Sequence, residues 1–104
     1  MTKVPTITKR DVAKRTAQLT GEKIHFTEKT VDALFTTLRL LMSEADPEVR
    51  IEIRDFGVFE VKKTKPKPKA RNPKTGEIIY VPARRKTHFK AGRRLKEVLK
   101  QSLE

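Results

Sequence analysis

The chain has 104 residues, no cysteine and a formal net charge of +12, with 36% hydrophobic and 37% charged residues. That is one domain's worth of sequence at the lean end for a globular core, and it excludes disulfides and thiolate metal sites. The charge is lopsided: residues 1–60 carry 10 Lys+Arg and 10 Asp+Glu, whereas residues 61–104 carry 15 against 3, an asymmetry that reads as a surface for nucleic acid or an anionic membrane.

Taken in chain order, a first helix is expected from a cap at Thr8 to about Leu19, before Thr20-Gly21. Asp11 stands at the third helical position, and Ile7 and Val12 are at staple spacing. A second helix repeats this grammar with Thr27 as cap, and Val31, Leu34, Phe35, Leu38, Leu41, Met42 and Ala45 fall on one stripe that ends near Asp46-Pro47. Leu40 lies off that stripe. After Pro47 the period changes from 3.6 to 2: Val49, Ile51 and Ile53 alternate with Arg50, Glu52 and Arg54, a half-buried strand. Asp55-Phe56-Gly57 makes a tight turn in which Gly57 can take a positive φ, and Phe59 and Val61 continue a second strand.

Beyond Val61 the apolar residues stop. Lys62, Lys63, Lys65, Lys67 and Lys69 alternate with prolines at 66 and 68, which place both missing N–H groups on one edge and leave the other free to pair. Asn72-Pro73 and Thr75-Gly76 form a turn, and Ile78 starts a return strand that passes Pro82 and ends around Phe89. The expected product is a basic ribbon with a reach of about 30 Å, at about 3.3 Å per residue. A last helix carries Leu95, Val98, Leu99 and Leu103 on one face.

A basic ribbon is often only a solvated face or a protected edge. Fifteen cations against three acids, with a proline at the apex, exceed what edge protection requires, so the reading is a polyanion surface whose affinity falls with salt. Pro73 on its own is either a simple turn former or a rigid apolar wedge for separating base pairs. Catalysis finds no pattern: His25 and His88 are far apart, and no phosphate loop or metal-ligand spacing occurs. Tyr80 and Phe89 are expected to pack rather than to stack on bases. No stretch has the length of a membrane span and residues 1–10 lack the apolar run of a signal peptide, so an intracellular protein without cofactor, metal or small-molecule substrate is expected.

Three blocks in order, Asp55-Phe56-Gly57-Val58-Phe59-Glu60-Val61, Arg71-Asn72-Pro73-Lys74-Thr75-Gly76-Glu77 and Phe89-Lys90-Ala91-Gly92 with Leu95-Lys96, resemble the bacterial HU/integration host factor family of DNA-bending proteins. The resemblance spans Thr8 to about Leu103. It implies an α+β fold with two N-terminal helices, a three-stranded antiparallel sheet with a long protruding β-ribbon arm and a short C-terminal helix, assembled as an intertwined dimer. Within one domain over residues 1–104, residues 8–46 would form the helical base, 48–61 and 78–89 the saddle sheet, 62–77 the arm and 91–103 the last helix.

The implied partner is double-stranded DNA, bound in the minor groove by a homodimer, or a heterodimer with a paralogue, in the cytoplasmic nucleoid. Pro73 matches the intercalating proline, and Arg71, Asn72 and Lys74 the tip around it. Lys62, Lys63, Lys65, Lys67 and Lys69 match the outgoing limb, and Arg84, Arg85, Lys86 and Lys90 the return side. Leu34, Phe35, Leu38, Phe56 and Phe59 match the dimer core. Three departures stand out: Asp55 replaces the family's usual first glycine, the outgoing limb is one residue longer with a Lys-Pro alternation, and the N-terminus starts several residues earlier as an extension over residues 1–7. A basic RNA-binding or ribosome-associated protein, or a self-assembly protein, are the competing readings.

Overall fold

A computed structural model describes residues 3–104; Met1 and Thr2, the start of the N-terminal extension, lie outside the described residues. The chain forms two compact units, the first ending at Leu41 and the second comprising Met42–Glu104.

The first unit holds α1 (Lys9–Thr20) and most of α2 (Ile24–Ser43). The α1 start is as expected: the Asp11 N–H donates to Thr8 Oγ1 at 3.3 Å, and the Thr8 N–H donates to Asp11 Oδ2 at 2.9 Å. Together they satisfy free backbone donors of the first turn. The Thr8 N–H bond also holds the Asp11 carboxyl below its ordinary range, with the Thr8 hydroxyl as the next cause. Gly21 ends the helix in the left-handed conformation, φ 76°, its N–H donating to the Ala17 carbonyl. Thr8→Ala is expected to cost about 1 kcal/mol in chemical denaturation; an unchanged midpoint would mean that the cap contributes nothing. Ile7, expected to staple against Val12, stays largely exposed.

Helix α2 begins one turn before Thr27. Thr27 is therefore not a cap but a buried interior residue whose Oγ1 donates to the Lys23 carbonyl at 3.0 Å. With Val31 one turn on, it forms the buried contact of α2, as Ala13 and Ala17 do for α1. Lys9 pairs with Asp32, and Arg10 Nε lies 3.6 Å from Glu28 Oε1, tying the two helices together.

The second unit is organised by a sheet in the order β1 (Val49–Ile53), β2 (Gly57–Lys63), β5 (Arg85–Ala91), antiparallel throughout. Phe59 stands opposite both Ile51 and Phe89, and Val61 opposite Val49. The apolar alternation read in the sequence thus becomes one face. On it Phe56, Phe59 and Phe89 cluster, with ring centroids 4.8 Å apart for Phe59–Phe89 and 5.2 Å for Phe56–Phe89. The tight turn before β2 differs from expectation. The positive φ, 66°, belongs to Asp55, while Gly57 is required because a Cβ there would lie 2.5 Å from the Lys90 carbonyl oxygen and 2.7 Å from the Phe89 ring.

The ribbon is a second, two-stranded sheet of β3 (Lys67–Arg71) and β4 (Ile78–Val81). The return strand expected over 78–89 is therefore two strands, and residues 78–81 belong to the arm rather than to the saddle sheet. Conversely Lys62 and Lys63, assigned to the arm, pair with Lys86 and Arg85 in the saddle sheet. The break falls where Pro66 and Pro82 each remove a ladder donor. Below it the ladder closes on Thr64 and Arg84: the Thr64 N–H donates to the Arg84 carbonyl at 2.7 Å, and the Arg84 N–H to Thr64 Oγ1 at 2.9 Å. The final helix α3 (Arg93–Leu99) stops short of Leu103 and buries none of its residues. Among the described residues no helix is long and apolar enough to cross a membrane.

Candidate nucleic-acid interface

Residues two apart on a strand share a face and cross-strand partners point the same way. The register therefore sorts the saddle cations. Lys62, Lys86 and Lys90 share a face with Arg50 and His88, around Glu60 on the central strand. Lys63 and Arg85 lie on the opposite face, with Val61 and Thr87. Arg85 Nη1 donates to the carbonyls of Ser43 at 2.9 Å and Ala45 at 2.6 Å. Its guanidinium thus braces the segment leading into β1, a structural task that a reading of Arg84-Arg85-Lys86 as one basic run missed. Arg50 was missed in the other direction. Its place in the alternating Arg50-Glu52-Arg54 pattern was the available signal, and only pairing with Glu60 brings it among the lysines.

Glu60 is 7% exposed in the middle of this cationic face. Its Oε1 lies 2.9 Å from Lys90 Nζ and its Oε2 3.8 Å from Lys62 Nζ. The hydrogen bond from Lys90 lowers its pKa from the ordinary 4.5; burial opposes this, and the positive fields of Lys62, Lys90 and Arg50 assist it. A carboxyl depressed in the folded state stabilises the fold above its unfolded pKa and loses that contribution as pH falls through the folded value. Glu60→Gln is expected to lower the melting temperature at pH 7, with the gap to the parent closing as pH falls below the ordinary 4.5 and through the depressed folded value. A pH-independent gap would show that the charge is irrelevant.

The arm tip is built around Asn72. Its N–H donates to the Glu77 carbonyl at 2.8 Å and its carbonyl accepts from Gly76 at 2.7 Å. Its Oδ1 accepts from the Lys74 N–H at 2.9 Å, an Asx-type turn. Gly76 takes the left-handed conformation, φ 74°. The result is a short stiff loop that leaves Pro73 and Lys74 exposed at its end, with Arg71 exposed beside it. Lys65, Lys67 and Lys69 are exposed along the outgoing limb. Phe89 packs as expected; Tyr80 does not, and is 64% exposed on β4.

A cationic sheet face continued by a proline-tipped basic ribbon defines a polyanion-binding protein of the architectural kind. Comparison with known proteins agrees. The family model described as bacterial DNA-binding protein matches residues 7–100. Integration host factor subunit alpha of Ralstonia nicotianae is 33% identical over 101 residues, 97% of this chain and 93% of that protein. Integration host factor subunit beta of Methylococcus capsulatus is 39% identical over 80 residues, 76% of this chain and 83% of that one. Among solved structures, a cocrystal structure of Anabaena HU with DNA matches with a TM-score of 0.77 at 25% identity, covering 91% of this chain and 99% of that one. The chain belongs to the HU/integration host factor family of bacterial DNA-binding proteins.

Proposed function

We propose that the protein works as a dimer that bends duplex DNA, its two arms lying in the minor groove and Pro73 entering between base pairs. The observation that carries this reading is the exposed proline on a stiff hydrogen-bonded tip at the end of a basic two-stranded ribbon. A rigid apolar ring in that position can separate a base step, and the bend so produced brings phosphates onto the cations behind it. Lys62, Lys86, Lys90 and Arg84 serve as phosphate contacts of the saddle, and Lys65, Lys69, Arg71, Asn72 and Lys74 as those of the arm, with Lys67 on the opposite face of the ribbon from Lys69 and Arg71. Lys63 and Arg85 lie on the side of the sheet that faces away from Glu60, where the Arg85 guanidinium is engaged by the Ser43 and Ala45 carbonyls, and neither is assigned a phosphate.

Dimerisation is supported by what a single chain leaves uncovered. No large side chain among the described residues is fully buried, and Leu34, Phe35 and Phe56 are each more than two-fifths exposed. Together with Leu38 and Phe59 they are assigned to the interface, where a second copy removes them from water at about 25 cal/mol per Å². A homodimer in the bacterial nucleoid is the simplest assembly, and a heterodimer with a paralogue is the alternative. The lysine-rich limb favours binding with little sequence preference, as in HU. A site-preferring role is the second reading, favoured by relatives named as integration host factor subunits of both alpha and beta type.

Phosphate neutralisation predicts that log affinity for duplex falls linearly with log salt. Roughly six or more contacts give a slope of about −5, at about −0.9 per phosphate. A slope near zero would exclude the mechanism, and stronger competition by structured RNA than by duplex DNA at equal salt would favour an RNA-binding role.

A further inference from the structure

The outgoing limb departs from a regular strand at one place in the arm. Register sets Arg71 against Ile78, Ala70 against Ile79 and Lys67 against Val81. Between the last two pairs β3 gains one residue on β4, so Pro68 and Lys69 together face Tyr80. This is a β-bulge, and it reverses the alternation of everything beyond it. In an unbroken strand Lys67, Lys69 and Arg71 would share one face. Here Lys67 joins Ala70, Ile79 and Val81, while Lys69 and Arg71 join Ile78 and Tyr80. The Ala70 side is the better covered, with Ala70 and Val81 half-buried and Ile79 40% exposed, whereas Ile78 and Tyr80 are each 64% exposed.

An exposed aromatic and an exposed isoleucine between two cations complement one kind of surface. The minor groove of duplex DNA is about 6 Å wide, walled by the apolar edges of deoxyriboses with phosphates along both rims. We propose that the Tyr80 face is the side of the arm laid against that wall. The Tyr80 ring and Ile78 cover sugar edges, Lys69 and Arg71 reach the rim phosphates, and Lys67 is turned outward. The inference rests on the DNA-bending reading above and adds to it a contact that is not electrostatic, placed by the bulge.

The sequence supplies its own probe: Tyr80 is the single tyrosine and there is no tryptophan. Tyrosine fluorescence of the full chain is read with acrylamide as quencher, free and with a duplex of about 30 base pairs, the scale of a bent site. The ring is expected to be open to quencher in the free protein and several-fold protected in the complex. Tyr80→Ser is expected to weaken duplex binding by roughly five- to tenfold, the scale of one covered aromatic face, with the salt slope unchanged. Lys69→Gln is expected to lower the slope by about 1 per arm. An unprotected ring in a complex that forms with the expected salt slope would overturn this inference and leave the bending reading intact. Protection already present without DNA would overturn it in favour of cover by another copy, and failure of the parent to bind duplex would overturn both.

Discussion

Pro73→Ala is expected to abolish bending of intact duplex while retaining most of the affinity for nicked, gapped or pre-bent DNA. The backbone bonds that shape the tip run through Asn72, Lys74, Gly76 and Glu77, none of which needs the Pro73 ring. Alanine should therefore preserve the loop and remove only the wedge. Unstacking a base step costs a few kcal/mol, and without the ring nothing on the tip offsets it, so affinity for intact duplex falls by on the order of tenfold or more. A nick or gap supplies the discontinuity beforehand and hides the defect. Fluorescence end-to-end distances that match the parent on intact duplex would show that Pro73 only shapes the turn.

A comparably large effect, on stability instead of DNA, is expected at Gly57. A methyl group there would sit 2.5 Å from the Lys90 carbonyl oxygen and 2.7 Å from two atoms of the Phe89 ring. Either β2 and β5 separate where the Gly92 N–H donates to the Phe56 carbonyl at 2.8 Å, or Phe89 leaves its place against Phe56 and Phe59. Overpacking of this kind costs about 1–3 kcal/mol, and the upper end or beyond is expected because one of the clashing groups is backbone. Gly76→Ala is the control. Its methyl meets open space, so only the left-handed φ of 74° is penalised, by roughly 1–2 kcal/mol. Equal denaturation midpoints for the two variants would contradict the close approach at Gly57.

How much of this was legible in the sequence depended on whether the signal was local. The Thr8 box, the Gly21 stop and the switch from helical to strand period at Pro47 are written in neighbouring residues, and the structure has them. Thr27 had the same local appearance as Thr8. There the burial of Thr27 and Val31 on one side of α2 prevailed, and the hydroxyl was satisfied by the carbonyl one turn back. Pro66 and Pro68 were visible as obstacles, but their different consequences depend on the other limb: Pro66 lies in a gap shared with Pro82, and Pro68 in a bulge against Tyr80. The Lys62-Lys63 run looked like one surface until pairing with Lys86 and Arg85 divided it between two faces. Tyr80 is expected to pack because the chain is poor in aromatics and carries no paired base-stacking motif. With β4 part of the arm, it stays exposed.

Two of the departures from the family pattern become intelligible in the same terms. Asp55, standing where the family's first glycine is usual, accepts the left-handed conformation that aspartate tolerates better than most side chains. The irregularity of the outgoing limb lies in β3 between Lys67 and Ala70 and not at the tip, where Asn72 through Glu77 close their own hydrogen bonds.

The most direct test is the end-to-end distance of a fluorescently labelled intact duplex of about 30 base pairs, titrated with the parent protein at low salt. The ends are expected to draw together and reach a plateau at one protein dimer per duplex, with the change reversed as salt is raised. Saturable binding with the end-to-end distance unchanged would contradict the bending role.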